Sequence, residues 1–551
     1  MNFKKEFPDI ISQKFYLTTF ALILLLIYSN TFDSPWIFDD RPNIVDNPPI
    51  RINNLMPETL WKTFFAQPFN EGNFYRPVSC FTFAINWFIG NDNTIGYHIV
   101  NLIIHYLTTI YLFLSILELF KSPLLKEKYC LNKVAIIAYF SALLWSIHPI
   151  QTQAVTYIVQ RMASIAGLFT IISIYYYLSS RNDIIRKKIK ISLSFFFAIL
   201  AIGSKENTIL LPFNLLLIET IFFKSEHDKN NIHSIILKSI SITISILIFS
   251  YFVKLIYNHG LFAPYGFREF SIYERILTES RILFIYIYQL FIPNPENLIL
   301  DHNISISTSL LQPTSTLISL TAIISILSIS IKYLRIYPLI TFPIIFFFLN
   351  HLIESTFIPL ELIFEHRNYI PSLFIFIPIS YYFSTLLFNL KINKYLKGSV
   401  TAIICVSIIS ISIGTYSRNQ DYSSSESIWT DTLQKNPNSS RALSTLGINK
   451  SWGKNKSLET MSEAISLHLK ATESYQHNKN YLSAIYANIA STYEFYHYND
   501  KAITYYNKAI EISPSFVNPK LNLAKLLCKI GNFTDALTLT NQIITTEKEH
   551  A

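Results

Sequence analysis

The chain has 551 residues, of which 50% are hydrophobic and only 15% charged, and its mean hydropathy is +0.31. A water-soluble protein of this length would carry more charge, so the long apolar runs read as membrane helices. The net charge of +9 comes from Lys and Arg in short loops between those runs, with no basic stripe interleaved with aromatics, which argues against a nucleic-acid partner.

Taken in order, the first apolar run, Phe15–Ile27, follows Lys4, Lys5 and Lys14 and has no small-x-small cleavage pattern after it. It reads as a retained first span, reaching Tyr28. A long loop follows, about residues 29–94, holding the adjacent acids Asp39 and Asp40, an amphipathic helix near Pro57–Phe65, and a short apolar stretch, Asn73–Gly90, that suits the membrane surface. Further spans are predicted at Ile95–Phe120, Val134–Ile147, Met162–Leu178, Ile191–Ile202, Thr208–Phe223 and Ile240–Tyr257. A second large loop, about 258–313, contains a short surface helix at Ile282–Ile292, and the last spans are Thr314–Ile331, Leu339–Ile353, Ser372–Leu390 and Ser399–Thr415. That makes about 11 spans. The positive-inside rule puts the N-terminus and the basic loops, including Lys224–Lys238, in the cytoplasm. The Asp pair, HPIQTQ at His148, GSKEN at Gly203 and FEHRNYIPS at Phe364 then share the extracytoplasmic side.

Beyond residue 418 the hydropathy drops. Residues 419–551 read as a helical-repeat domain, because Asn488/Asn522, Ala490/Ala524 and Ala502/Ala536 recur at a spacing of about 34 residues, the tetratricopeptide period. Small residues Ala490, Ala502 and Ala509 let paired helices approach, and Tyr493 and Tyr506 fill the space between them. The clearest repeats are 483–516 and 517–550, preceded by a degenerate one carrying Leu446, Gly447, Ala464 and Ala471. Three stacked units fit what such a solenoid needs to bury its faces. The four cysteines, Cys80, Cys130, Cys405 and Cys528, form no CxxC and no Cys/His cluster, so neither a disulfide framework nor a zinc site is implied.

The chemistry-bearing residues lie in the shared-side loops. A carboxylate beside a bilayer can act as a general base on an acceptor hydroxyl, and a second can orient the acceptor, tune the first or share a divalent metal. Asp39 and Asp40 fit that pattern, or cap a solvated turn. Arg76 and Arg161 offer cations at the membrane edge for a lipid phosphate, or anchor to headgroups. His148 either hydrogen-bonds a substrate or forms the turn before Pro149. Lys205 either pairs with Glu206 or helps hold a phosphate. Glu365, His366 and Arg367, three ionisable groups in a row at a membrane boundary, favour a substrate or phosphate role. His98, Asn101 and His105 stand at helical spacing and suit interhelical hydrogen bonds. No P-loop, dinucleotide fingerprint, HExxH or GxSxG is present, so an activated substrate would be membrane-borne.

In order, WIFDDRPNIVDNP, YRPVSCFTFAINW, GYHIVNLIIH, HPIQTQAVTYIVQR, SKENTILLPFNLL and FEHRNYIPS, with C-terminal repeats, resemble the transmembrane and tetratricopeptide repeat-containing proteins. These are GT-C glycosyltransferases related to protein O-mannosyltransferases. The resemblance implies an all-α GT-C membrane bundle over residues 1–418 with an extracytoplasmic tetratricopeptide α-solenoid over 419–551. It also implies a polyprenyl-phosphate sugar donor, with mannose or a similar hexose, and inversion at the anomeric carbon. The family pattern places the catalytic acid in the first extracytoplasmic loop, with Asp39 as base and Asp40 assisting. Arg161 and Arg367, then Arg76 and Lys205, would face the lipid phosphate, with His148, Glu365 and His366 around the donor. The expected partners are a lipid-linked sugar, membrane lipids and a protein acceptor at the repeat groove. No cofactor is required, and a divalent metal at Asp39 and Asp40 stays open. The short repeat array fits a bacterial member in the inner membrane, and an ER membrane would apply to a eukaryotic one. Two alternatives are a transferase or ligase acting on envelope lipid or lipid-linked glycan, and a non-catalytic scaffold. A transporter fits less well, since the spans show no inverted repeat.

Overall fold

A computed structural model describes residues 10–68, 72–183, 185–223, 232–259, 265, 268–388, 393–453, 456–474 and 478–550. Lys4, Lys5, residues 224–231 of the charged stretch Lys224–Lys238 and the segment 260–264 fall outside the described residues. Among the described residues there is no β-strand. The chain divides into two compact units. One comprises residues 1–263, 272–298 and 306–423, and the other 264–271, 299–305 and 424–551.

In the first unit each predicted span contains a helix, although within Ser372–Leu390 the described helix is only Ile377–Phe388 and Thr208–Phe223 combines 3-10, α and π turns. Five helices are long and apolar enough to cross a membrane: Thr94–Phe120, Ile158–Asn182, Glu206–Phe223, Ser315–Lys332 and Lys394–Asp421. A sixth forms if Leu131–Ser146 and Pro149–Val155, bent by 53° at the break, count as one. The break falls at His148–Pro149, where proline removes a backbone donor, so HPIQTQ is a broken helix and not a plain connection. Lys14–Ile27, Pro77–Gly90, Ile235–Leu247, Pro338–His351 and Ile377–Phe388 are apolar but shorter.

The helices differ in what surrounds them. Ile158–Asn182 has 83% of its apolar window buried, whereas Lys394–Asp421 has 11% and Ser315–Lys332 has 17%. The α-helix of the first, Arg161–Asn182, is therefore the central pillar, and the other two present apolar side chains outward, as a lipid-facing helix must. Close packing at the pillar depends on Gly167, where a Cβ would meet the Tyr369 ring at 2.5 and 2.6 Å. Phe342, Phe346 and Phe374 fill a neighbouring region, with ring centroids 4.9 to 5.8 Å apart.

The helix of the second large loop departs from expectation. It runs Ile272–Phe291, 20 residues, and not from Ile282. Charged residues at its start end the apolar run, yet Arg275 and Glu279 are buried against other polar groups. Hydropathy alone reads such a turn as solvated.

The second unit is built from helix pairs. Ser440–Ser451 pairs with Leu458–Ser474, Lys479–Phe495 with Asn499–Ile512, and Val517–Lys529 with Phe533–His550, preceded by Ser425–Lys435. Ser424 caps that first helix, its hydroxyl accepting the Ser427 N–H at 2.9 Å. Ala487, Ala490, Ala502, Tyr506, Ala509, Leu523 and Leu526 form one core, placing the predicted small and aromatic positions at the helix contacts. Asp301, on the segment 299–305, accepts from Ser439 Oγ at 2.6 Å and Arg441 at 3.1 Å, which fastens that segment to the start of the Ser440–Ser451 helix. Gly447 is the tightest point, where a Cβ would lie 2.7 to 2.9 Å from the buried His468 ring.

Overpacking of this kind costs about 1–3 kcal/mol. Gly447→Ala is expected to lower the stability of the helices Ser440–Ser451 and Leu458–Ser474 by that amount. Hydrogen exchange of the full-length protein reads this directly, and adding His468→Ala is expected to recover most of the loss.

Candidate functional site

The first loop is held in place from several sides. Trp36 donates to Asp92 at 2.7 Å and packs edge-on against Tyr97, and the Ser34 carbonyl is 2.9 Å from His98 Nε2. Phe38 then adopts a left-handed backbone, φ +42°, which is strained for a residue with a bulky side chain. That reversal sends the two acids in different directions.

Asp40 turns inward and is 1% exposed. Its Oδ2 accepts the Ile37 N–H at 2.8 Å and its Oδ1 the Val159 N–H at 2.7 Å. Burial pushes its carboxyl up to about 8, against the pull of these two donors. Both oxygens are engaged by backbone, so Asp40 pins the loop and does not face an acceptor. Asp39 is half-buried, and its backbone N–H donates to the Tyr157 hydroxyl at 2.8 Å. Its charge acts on Tyr75 and Tyr157. Among the described residues no group of three His, Cys, Asp or Glu side chains is placed to hold a metal ion.

Arg161 starts the central pillar and is fully buried. It donates to Asn101 Oδ1 and Asn86 Oδ1, each at 2.6 Å, to the Tyr97 carbonyl at 3.0 Å and to the Thr82 carbonyl at 3.3 Å, with Phe83 and Tyr97 against its plane. Its donors are spent on neutral acceptors, so the expectation of a phosphate-facing Arg161 is corrected to a structural one. His148 changes in the same way. Its Nδ1 accepts the Ile150 N–H at 3.1 Å and its Nε2 lies 3.0 Å from the Leu290 carbonyl, so it caps the helix break. Asn101 and His105 make the expected interhelical bonds, His105 with Tyr369 and with the Ser146 carbonyl, both at 2.9 Å.

The remaining candidates converge. Arg76, at φ +39°, caps the Pro77–Gly90 helix. It pairs with Glu206 at 2.9 Å, touches Met162 Sδ at 3.1 Å and lies over the Tyr75 ring. Lys205 pairs not with its neighbour Glu206 but with Glu354, at 2.6 Å. Arg367, 4% exposed, donates to the Leu362 carbonyl at 3.0 Å and lies over Phe364. Among the described residues it has no carboxylate within ion-pair distance. Burial lowers its pKa, but Tyr286 and then the charges of Glu354, Glu279 and Glu361, from beyond ion-pair distance, raise it overall. His366 is 2.9 Å from Gln153 Oε1 through Nδ1 and is held well below the usual imidazole range by burial and by Lys205, Arg367 and Arg76. Glu365 is buried beside it.

Sequence reasoning missed Arg275, Glu279, Tyr286, His351 and Glu354. Arg275 pairs with Glu279 at 2.8 Å and donates to the carbonyls of Glu354, Thr356 and Leu360. The Tyr286 hydroxyl bonds both the carbonyl and the N–H of Phe364, and its ring stacks on His351. Thus the second-loop helix holds the segment 354–364 that leads into Glu365–Arg367. The available signal was the spacing of Arg275, Glu279 and Tyr286, which puts them on one helical face.

The helices and repeat pairs define an all-α membrane protein with a helical-repeat unit. Its curated relatives are protein O-mannosyl-transferases of the TMTC family. F38B6.6 of Caenorhabditis elegans is 26% identical over 161 residues, 29% of this chain and 22% of that protein. TMTC3 of Homo sapiens is 28% identical over 174 residues, 30% of this chain and 17% of that protein. TMTC2 of Homo sapiens is 32% identical over 162 residues, 28% of this chain and 17% of that protein. The chain spans about a fifth of the length of the curated relatives it matches. No protein-family model and no solved structure matches it.

Two outcomes follow from the buried groups. A carboxyl whose pKa is raised on folding stabilises the fold fully below its unfolded value and loses that contribution as pH rises through the folded value. The Asp40 contribution is therefore greatest below about pH 4 and disappears through pH 8. Thermal unfolding from pH 5 to 9 is expected to show falling stability, and Asp40→Asn is expected to be less stable at pH 5 with a flatter profile. Asn86→Leu strands one Arg161 donor, and unfolding measurements are expected to show a loss of about 1–3 kcal/mol.

Proposed function

We propose that this chain is a membrane glycosyltransferase. It moves mannose or a similar hexose from a polyprenyl-phosphate donor to a hydroxyl of a protein acceptor, on the extracytoplasmic face. The observation that carries the reading is Arg367, a buried guanidinium that, among the described residues, has no carboxylate at ion-pair distance and acts with Lys205 and Arg76 on His366. Its carboxylate neighbours act on it only from beyond contact distance, and a lipid phosphate would give it a direct partner. The names of the curated relatives, protein O-mannosyl-transferases, support the same chemistry.

Asp39 is the base in this reading. It is half-buried, beside the cation group through Tyr75, while Asp40 holds the loop that presents it. As the acceptor oxygen attacks the anomeric carbon, Asp39 takes the hydroxyl proton and the bond from the anomeric carbon to the phosphate oxygen breaks. The electron pair leaves on the phosphate, where Arg367, Lys205 and Arg76 stabilise the added charge. A single displacement inverts the anomeric centre and needs no covalent intermediate. The helical-repeat unit presents the protein acceptor, as helix-pair surfaces do.

General-base removal costs about 10²–10⁴-fold in rate. With polyprenyl-phosphate mannose and cell-envelope proteins, Asp39→Asn in nanodiscs is expected to lose transfer on that scale while donor binding persists. Transfer by Asp39→Asn at the wild-type rate would sink the assignment of the base.

A further inference from the structure

The Lys205–Glu354 contact joins residues far apart in sequence, and neither is a surface group. Lys205 and Glu354 are each 5% exposed, and the ion pair measures 2.6 Å. Lys205 starts the short helix Glu206–Leu210, and Glu354 follows the helix Pro338–His351. Glu354 is fixed twice more. Its second oxygen accepts from Asn207 Nδ2 at 3.2 Å, and its own carbonyl accepts from Arg275 at 2.7 Å, with Arg275 in turn held by Glu279. A carboxylate held by Asn207, on a backbone held by Arg275, and aimed at one buried ammonium does more than fill space.

We propose that Glu354 is a positioning residue that keeps Lys205 charged and aimed in the anion site, so that Lys205 can hold a lipid phosphodiester. The proposal rests on the reading of this site as the binding place of a polyprenyl-phosphate sugar. Among the described residues, Glu206 adjoins Lys205 and is paired with Arg76, Arg76 and Arg367 act on the Lys205 charge, Lys205 acts in turn on His366, and His351 acts on Glu354. Burial lowers the Lys205 pKa, and the Glu354 charge is the largest influence that raises it, against Arg76 and Arg367. With Glu354 neutral, burial and two neighbouring guanidinium groups lower the Lys205 pKa further, and a lysine that gives up its proton loses its hold on phosphate.

The test uses a probe whose charge does not change with pH, a synthetic farnesyl phosphoryl-mannose diester, titrated against the full-length protein in nanodiscs from pH 6 to 9. Wild type is expected to bind with a flat profile. Glu354→Gln is expected to bind increasingly more weakly than wild type as pH rises, by at least about tenfold at pH 8.5, since burial without a paired carboxylate lowers a lysine's pKa. Glu354→Asp is expected to restore the flat profile, and Lys205→Met to bind weakly at every pH. A Glu354→Gln profile parallel to wild type, weakened or not, overturns the positioning role while Lys205→Met still marks the anion site. If wild type does not bind the probe, or Lys205→Met binds it equally well, the anion-site reading fails and the positioning role with it.

Discussion

The first loop and the central pillar depend on one buried carboxylate. Asp40 accepts N–H bonds from Ile37, in its own loop, and from Val159, just before the pillar begins. The two bonds join a surface loop to the most buried helix of the unit. Two residues later the pillar's first side chain, Arg161, is also buried, yet acid and base do not form a salt bridge. Arg161 is satisfied by Asn101, Asn86 and backbone carbonyls, and Asp40 by backbone N–H groups. Hydrogen bonds to neutral partners offset part of the desolvation cost of each group separately, and for Asp40 burial still wins, so its carboxyl is held up near 8. The result is a rigid frame in which neither charge is free to serve a ligand, and the next residue along, Asp39, is left half-buried beside Tyr75 and Tyr157.

A second set of charges is arranged on the opposite principle. Arg76, Lys205, Arg275 and Arg367 come from four separated stretches and are brought together by the second-loop helix and the segment after Pro338–His351. Here the partners are carboxylates: Glu206, Glu354 and Glu279. Tyr286 and Arg275 hold the backbone between Glu354 and Phe364, so the helix Ile272–Phe291 sets the position of Arg367 without touching it through an ion pair. This helix is a wall of the site, although half of it is charged enough to read as solvated loop.

How much of this was legible follows from what a sequence displays. Apolar runs gave the helices well, because lipid-facing and buried helices alike need them. Loop charge alone carries the expectation that the Asp pair, HPIQTQ, GSKEN and FEHRNYIPS share one side. Partners were not legible. Arg161 and Arg367 look alike as arginines at membrane edges, and only the amides of Asn86 and Asn101 separate a saturated guanidinium from one without a close counter-ion. His148 read as a ligand or a turn, and the Ile150 N–H and Leu290 carbonyl decide for the turn. Glu354 escaped notice because a single acid after an apolar run is ordinarily a helix-end residue. Its meaning depends on Lys205, about 150 positions away in the chain, and no local pattern links the two.

The contrast between the two charge sets bears on how an anion could enter. Three bare cations in a water-poor pocket would repel one another and destabilise the fold by several kcal/mol, as uncompensated buried charges do. Pairing Arg76 with Glu206 and Lys205 with Glu354 removes most of that strain before any ligand arrives. The two pairs are not equivalent. Glu206 is 60% exposed at its side chain and can swing into solvent, whereas Glu354 is 6% exposed and held by Asn207 and by Arg275 through its backbone. An arriving phosphate can therefore replace Glu206 at Arg76 at little cost, because the displaced carboxylate regains water. It cannot replace Glu354 without stranding a buried charge. Arg367, with no close carboxylate to displace, completes the set. In the proposed function, anion binding is an exchange at Arg76, where Glu206 is exposed, around the fixed Lys205–Glu354 pair.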